Sequence, residues 1–302
     1  MKKHSVLISL IVLMLCPIVA AQPGRRLPTS AMTEIDSNND GVIESVRMAY
    51  NTYDGHGRLI KQVIETDSDN DGSVDAVDTW TYAFDAHGNF LGNLGEFDLN
   101  ADGTINRWQR LTYSYDGRGW LLSSLLEIDH TNDGVVDLTH AVTYFAHDVH
   151  GNPAESVSET DANGDGVLEE TGHASYTYTA RGLVETAVYE LDTGADGTWD
   201  RVEYSTSTYD ARGHRTGYSM EIDSNMDGVI EQVQRITEVY NHRGLLEQDT
   251  YEYDYDNDGT PDYALHRIFT FDRRGFCLGD VMTIDTDGDG VVNIVHTTTY
   301  YY

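Results

Sequence analysis

Residues 67–88, DSDNDGSVDAVDTWTYAFDAHG, contain the patterns that decide the fold. They begin with an Asp-x-x-x-Asp-Gly string at Asp67, continue with alternating aromatic residues at Tyr82 and Phe84, and end in the sequence DAHG at 85–88. Alternation with a period of two is typical of a β-strand with one apolar face. Asp first and Gly fourth is typical of a type I turn. The segment therefore predicts an acidic loop, a strand and a tight turn in succession.

This pattern recurs nine times along the chain of 302 residues. The first Asp of each copy is Asp36, Asp67, Asp98, Asp129, Asp161, Asp192, Asp223, Asp254 and Asp285. The spacing is 31 residues, except for one of 32 in the fourth copy, where the extra residue is expected in the turn around 147–150. A fixed period of this length indicates tandem structural repeats. The chain is therefore expected to form a single repeat domain over residues 22–302.

The first 21 residues are typical of a secretory signal peptide. Lys2 and Lys3 precede an apolar stretch from Val6 to Ala20, with small residues before Gln22. We therefore expect a secreted, periplasmic or cell-surface protein. Cleavage leaves Cys277 as the only cysteine, so no internal disulfide can form, and its apolar strand position predicts a buried thiol.

The mature chain is not expected to span a membrane. A membrane-spanning barrel needs a continuous apolar band facing lipid. The predicted strands instead carry charged residues such as Arg107, Arg110, Glu170 and Arg201.

Each repeat is expected to form a β-hairpin. Counting the first Asp as position 1, aromatic residues lie at positions 16 and 18, and apolar residues such as Leu59 and Val63 lie at positions 24 and 28. A left-handed Gly in the turn would place position 18 opposite 24, position 16 opposite 26 and position 14 opposite 28. This register collects the apolar residues on one face.

The fold class is therefore all-β, with tandem antiparallel hairpins forming a closed or spirally wound sheet. Residues 27–35 look like the second strand of a hairpin, and the array ends at Tyr302 on a first strand. Pairing of these two half-repeats would close a ring. An open spiral and a β-propeller with two repeats per blade are the alternatives.

Oxygen-bearing side chains recur at positions 1, 3, 5 and 9, with Gly at position 6 for a sharp turn. Calcium takes six to eight oxygen ligands, whereas magnesium requires stricter octahedral geometry, so up to nine Ca²⁺ sites are expected. The sixth loop lacks a ligand because Gly194 occupies position 3, and Thr131 weakens the fourth. The candidate ligands are Asp36, Asn38, Asp40, Glu44, Asp67, Asp69, Asp71, Asp75, Asp98, Asn100, Asp102, Asn106, Asp129, Thr131, Asp133, Asp137, Asp161, Asn163, Asp165, Glu169, Asp192, Asp196, Asp200, Asp223, Asn225, Asp227, Glu231, Asp254, Asp256, Asp258, Asp262, Asp285, Asp287, Asp289 and Asn293.

The loops resemble the Asp-x-Asp-x-Asp-Gly calcium loops of EF-hands and thrombospondin type 3 repeats. They depart from EF-hands at position 12, which lacks the usual bidentate Glu in all but one repeat. The turn segment Tyr53–Leu59, YDGHGRL, resembles the YD repeats of the Rhs family. That resemblance implies a wound β-hairpin shell, found in exported toxin carriers and cell-surface proteins, and implies architecture more than activity.

Two further rows of residues leave alternatives open. Position 30 is Glu in seven hairpins, as in Glu65 and Glu96, and these side chains either complete calcium coordination or form a solvated acidic edge. Position 21, just before the turn Gly, is always His or Arg, as in His56 and Arg181. These cations either pair with the turn Asp of their own or the next repeat or form a rim that binds acidic glycan.

Charge and motifs limit the function. The formal net charge of −32 excludes nucleic acid as a partner. The acidic residues largely occupy repeat positions, and no nucleophile or acid–base motif stands out, so no enzymatic activity is expected. We expect a calcium-binding structural, adhesive or ligand-binding module that requires calcium to fold, with a glycan or another surface protein as partner. The alternative is a scaffold or shell fragment of an Rhs-like toxin or surface enzyme system.

Overall fold

The computed structural model describes residues 27–302, which form one antiparallel sheet of 18 strands. The strands are β1 (Ser30–Asp36), β2 (Ser45–Tyr53), β3 (Leu59–Asp67), β4 (Ala76–Phe84), β5 (Phe90–Asp98), β6 (Arg107–Tyr115), β7 (Leu121–Asp129), β8 (Leu138–His147), β9 (Pro153–Asp161), β10 (Glu170–Tyr178), β11 (Val184–Thr193), β12 (Arg201–Tyr209), β13 (Arg215–Asp223), β14 (Gln232–Tyr240), β15 (Leu246–Asp254), β16 (Tyr263–Phe271), β17 (Cys277–Asp285) and β18 (Ile294–Tyr301). Residues 27–302 contain no helix suited to crossing a membrane. The predicted signal peptide lies outside the described residues.

The sheet closes on itself through its first strand. β1 pairs with β2 and also with the last strand, β18, where Ser30 lies opposite Tyr301 and Asp36 opposite Val295. The predicted ring of hairpins is therefore confirmed, and the open spiral and the β-propeller are wrong. Closure satisfies the backbone groups that two free sheet edges would leave unpaired.

The register fixes the dimensions of the ring. Tyr50 at position 15 pairs with Val63 at position 28, which pairs with Thr79 at position 13 of the next repeat. Each repeat thus shifts the register by two residues, and nine repeats accumulate about 18, equal to the number of strands. For ordinary strand spacing this corresponds to a tilt of about 35° and a backbone radius of about 17 Å. Equivalent positions lie at one height, with all loops at one end and all turns at the other.

Alternate strand positions face the inside and the outside of the ring. In β4, Thr81 and Ala83 are exposed on the outer face, whereas Tyr82 and Phe84 are half-buried on the inner face. Even positions of each first strand therefore face inward. Three of the charged residues expected to interrupt an outer apolar band, Arg107, Glu170 and Arg201, occupy position 10 and face inward; only Arg110 faces outward.

A bulge in the second strand of the hairpin corrects the predicted register. Tyr53 lies opposite Leu59, as expected for positions 18 and 24, but Asn51 at position 16 lies opposite Gln62 at position 27. The predicted pairings of 16 with 26 and 14 with 28 are wrong because Ile60, at position 25, is an extra residue in the ladder. The apolar side chains at position 28 consequently lie on the outer face.

The extra residue of the fourth repeat lies in a strand, not in the turn as expected. Ala146, with a φ of 52°, is the additional residue of β8 and lies level with the bulge residue Ala154 on β9. The turn at 148–152 keeps the hydrogen bonds of the other turns. His147 takes the place of the usual position-18 aromatic, with Nε2 at 2.8 Å from the backbone oxygen of Leu121.

Tyrosine hydroxyls at position 18 join successive hairpins near the turn end. Five of them donate to the backbone oxygen of position 24 in the preceding hairpin, so the contact crosses from one repeat to the next. The pairs are Tyr53 with Pro28, Tyr115 with Phe90, Tyr178 with Pro153, Tyr209 with Val184 and Tyr302 with Cys277.

The best-packed part of the inner wall lies where the ring closes. A buried apolar cluster contains Ala31, Ala49, Leu246, Phe269, Cys277 and Tyr300. Cys277 is buried, as predicted. Beside it, the buried carboxylate of Asp249 accepts hydrogen bonds from the Arg267 guanidinium, so this charge is paired where water is excluded.

Replacing one inter-hairpin hydroxyl should weaken the ring measurably. We expect Tyr178→Phe to lower the free energy of unfolding by about 1 kcal/mol, because the half-buried carbonyl of Pro153 loses its donor. Tyr204→Phe is the control, since Tyr204 is 45% exposed on the outer face. Urea denaturation in excess calcium measures both, and equal losses in the two variants would contradict the assigned role.

Candidate metal centres

The first Asp of each loop organises the loop backbone. In the first loop, Asp36 accepts the N–H of Asp40 on Oδ1 at 3.1 Å and the N–H of Gly41 on Oδ2 at 2.8 Å. Asp40 in turn accepts the N–H of Val42 at 2.8 Å. The bond from Gly to the first Asp recurs in all nine loops, at 2.7 to 3.0 Å. The carboxylate at position 1 thus accepts backbone N–H groups from the rest of its loop and holds the loop in a tight turn.

The side chain at position 9 closes the loop from the other side. Glu44 accepts the N–H of Ser37 at 2.6 Å, and its own N–H donates to the oxygen of Ile35 in β1 at 3.0 Å. Equivalent position-9 contacts occur in each of the nine loops, whether the residue is Glu, Asp or Asn. The side chains at positions 1, 5 and 9 are therefore held by hydrogen bonds from backbone N–H groups, and these bonds recur in every loop.

Carboxylates converge in these loops. In at least five of them, three acidic side chains each offer an oxygen within 4.8 Å of the others, a spacing that suits a shared cation. These sets are Asp36, Asp40 and Glu44; Asp67, Asp69 and Asp71; Asp161, Asp165 and Glu169; Asp223, Asp227 and Glu231; and Asp254, Asp256 and Asp262. An all-oxygen donor set of this kind fits a hard divalent cation.

Backbone donors lower the pKa of the position-1 carboxyl in four of the nine loops, at Asp129, Asp161, Asp223 and Asp285. Burial acts to raise the pKa of Asp161, but N–H groups led by that of Gly166 outweigh it and lower the pKa below its ordinary value. The pKa of Asp223 is lowered in the same way, with Gly228 as the leading donor. The loops therefore retain their negative charge and their capacity as ligands at neutral and mildly acidic pH.

The fourth and sixth loops differ from the others. The Thr131 hydroxyl lies 3.5 Å from Oδ1 of Asp129, and the indole N–H of Trp108 donates to Oδ2 of the same carboxylate at 3.1 Å. The sixth loop has Gly194 at position 3, with a φ of 110° and no side-chain ligand. Trp108 was not singled out in the sequence, although position 11 pairs with position 32 in the observed register.

Asparagines at position 4, also missed by the sequence analysis, connect neighbouring loops. The side-chain amide of Asn39 donates to the oxygen of Val292 at 3.2 Å, which joins the first loop to the ninth across the closure. The same contact recurs in three other loops, between Asn70 and Ile43, Asn132 and Ile105, and Asn257 and Ile230. The residue type at position 4 could have indicated this loop conformation, because Asn tolerates the positive φ that position 4 adopts.

The glutamates at position 30 lie on the outer face, and their contacts run to position 13 of adjoining strands. Arg110 donates to Glu127 at 2.9 Å, and His173 lies 3.5 Å from Glu190. These contacts point away from the loops.

The turn-end cations mostly do not pair as predicted with a turn Asp. His56 does lie near Asp54 of its own turn, at 3.9 Å. Arg181, by contrast, donates to the backbone oxygen of Ala211 in the next turn at 2.6 Å. The turn Asp caps its own backbone instead, as Asp54 does for the N–H groups of His56 and Arg58.

The comparisons with known proteins give no family. No protein-family model matches the chain, and no curated protein matches it. A porin-like protein from Bacteroides uniformis ATCC 8492 is similar in structure with 13% identity and a TM-score of 0.46, covering 90% of this chain and 95% of that one. A porin-like protein from Bacteroides vulgatus ATCC 8482 shows 11% identity and a TM-score of 0.35, covering 68% of this chain and 100% of that one. The functional assignment therefore depends on this chain's own residues.

The turn carboxylates make stability depend on pH. The hydrogen bond from the His214 side chain leads the interactions that lower the pKa of Asp210 to about 2. A folded-state pKa below the unfolded value stabilises the fold above about pH 4, and this contribution is lost as the pH falls. Asp210→Asn should therefore lower the thermal midpoint at pH 5.5 and lower it less at pH 3. A difference that stays constant over this range would contradict the assignment.

Proposed function

We propose that this protein is an exported calcium-binding β-repeat protein that acts as a structural, adhesive or ligand-binding module at the cell surface. The observation that carries the proposal is the set of nine loops at one end of the ring, each with the same backbone bonds to positions 1, 5 and 9. Several of these loops bring three carboxylates within reach of one cation. The module is non-catalytic, since its acidic residues serve the loops and turns.

Calcium is proposed as a condition of folding. The folded chain gathers carboxylates whose pKa values are lowered by backbone donors, so protonation does not relieve their repulsion near neutral pH. A divalent cation that binds only the folded loops stabilises that state by mass action. Calcium suits the site better than magnesium because flexible loops with side-chain and backbone oxygens match its looser geometry.

The resemblance to YD repeats supports an architectural role. In the first turn, the Tyr53 hydroxyl joins two hairpins, Asp54 caps the turn and Gly57 adopts a φ of 78°. Each of the residues that carry the resemblance thus has a structural task. A scaffold fragment of an Rhs-like toxin or surface enzyme system is the second candidate, and it rests on this resemblance alone.

The composition of the outer face supports exposure to water. Threonine fills most of position 15, and the glutamate row at position 30 lies on the same face; examples are Thr81, Thr112, Thr143, Thr206, Thr237, Glu65, Glu96 and Glu127. A row of carboxylates on this face is unfavourable in lipid. The mature protein is therefore proposed to remain soluble without detergent, and partition into detergent micelles after expression would contradict this.

Removal of calcium should unfold the ring. We expect a large rise in the thermal midpoint when about 1 mM calcium is added, a smaller one with magnesium, and unfolding in excess EDTA, followed by circular dichroism. An unchanged midpoint in EDTA would refute the proposal.

Single loops should lose their ion individually. Asp71→Asn keeps an acceptor for the N–H of Ser73 but removes a charge from the second loop, and Asp258→Asn does the same in the eighth. Calorimetric titration should show fewer ions bound near 1 mM calcium in these variants. Asp116→Asn, in a turn at the other end, is the control and should leave the number of ions unchanged.

A further inference from the structure

Positive charge is concentrated in four consecutive turns. The turns at 179–183, 210–214, 241–245 and 272–276 contain Arg181, Arg212, Arg243, Arg273 and Arg274, against two acidic residues, Asp210 and Asp272. All five arginines are exposed, and we call them the arginine arc. The next acidic side chains, Glu185 and Glu247, lie beyond the turns on the second strands. In a chain of net charge −32, this is a local reversal of sign.

The other turns differ in the residue that caps them. The turns at 54–58, 85–89, 116–120 and 148–152 all begin with Asp, whereas two turns of the arc begin with Thr179 and Asn241. These neutral residues still cap the backbone: Thr179 accepts the N–H of Arg181 at 3.3 Å, and Asn241 accepts that of Arg243 at 2.9 Å. The turn geometry is kept while the negative charge is removed.

Three guanidinium groups of the arc are held in place by uncharged partners. Arg181 donates to the Ala211 oxygen at 2.6 Å, and Arg212 donates to the His242 oxygen at 2.8 Å. Arg243 makes the equivalent contact with the Arg273 oxygen at 3.4 Å. A carbonyl orients a guanidinium but carries no charge, and each group retains further N–H donors. Ordered cations of this kind lose little entropy when they bind an anion.

A cleft adjoins the first arginine of the arc. It has a volume of about 350 Å³ and lies between the turns of the fifth and sixth repeats, where Arg181, Leu183, Tyr209 and Ala211 line it. Asp210 also lines the cleft, and its carboxylate is engaged by the His214 ring and by the N–H groups of its own turn. The ring of Tyr209 is anchored by its hydroxyl bond to the Val184 oxygen at 2.7 Å. An aromatic and aliphatic wall beside a cation suits a sugar ring that bears an acidic group.

We propose that the arginine arc binds an acidic polysaccharide chain. Equivalent positions of neighbouring repeats lie about 12 Å apart around the ring, far wider than the roughly 3.4 Å per phosphate along a nucleic acid strand. A flat anionic membrane would also press against the four turns outside the arc, all of which begin with Asp, and be repelled there. A polysaccharide with widely spaced carboxylates matches the spacing of the arginines. Because it is narrow enough to follow only the arc, it also avoids the acidic turns.

The test uses the full mature chain saturated with calcium, because the arc lies at the opposite end from the metal loops. Binding of hyaluronate, which bears a carboxylate only on every second sugar, is measured by calorimetry, with neutral dextran as the uncharged probe. Thr179→Asp combined with Asn241→Asp restores the acidic cap found in the other turns, so the fold should survive while the net charge of the four turns falls from +3 to +1. Ala86→Asp combined with Val149→Asp adds the same charge to the other turns and is the matched control.

We expect hyaluronate to bind in a salt-dependent manner and dextran not to bind. The affinity should fall at least tenfold in the Thr179 and Asn241 double variant, and also in a triple variant with Arg181, Arg212 and Arg243 changed to Ala. The control pair should bind like the parent, and thermal melting in calcium should show all variants folded. Absence of hyaluronate binding, equal loss in the control pair, or tighter binding of single-stranded DNA or phosphatidylglycerol vesicles would overturn the proposal.

Discussion

Pairing of β1 with β18 is the interaction on which the rest of the structure depends. It joins the two half-repeats at the ends of the array and removes both free edges of the sheet. Because the sheet closes, the nine loops must lie at one end and the eight turns at the other. The chemistry of the molecule is therefore sorted along the ring axis, with carboxylates gathered at the loop end and guanidinium groups concentrated in part of the turn end.

Much of this organisation could be predicted from the sequence because it repeats. The period of 31 residues, the alternating Tyr82 and Phe84, and the unmatched half-repeats at the two ends were sufficient to predict hairpins in a closed ring. The candidate loops were equally visible, since Asp and Gly recur at fixed positions. Repetition reveals which residues serve one purpose, and local turn chemistry then reveals what that purpose requires.

The predictions of register and of facing were wrong where more than one backbone conformation fits the same alternation of apolar and polar residues. Leu59 and Val63 are four residues apart, so alternation alone places them on one face, but the bulge at Ile60 separates them. Arg107 was expected to face outward for lack of any signal that position 10 points inward. The hydrogen bonds from Trp108 to Asp129 and from Asn39 to Val292 join residues of different repeats. The sequence of a single repeat contains no information about such contacts.

The constant stagger of two residues per repeat has a consequence for how such a ring could change in size. Inserting one complete repeat would add two strands and two residues of stagger together, so their ratio, and with it the tilt of the strands, would remain the same. The height of the wall and the contacts between neighbouring hairpins would be conserved, while the circumference would grow by about 12 Å. The 31-residue unit is thus a building block whose copy number sets the diameter, and rings of other sizes are accessible by duplication or deletion of whole repeats.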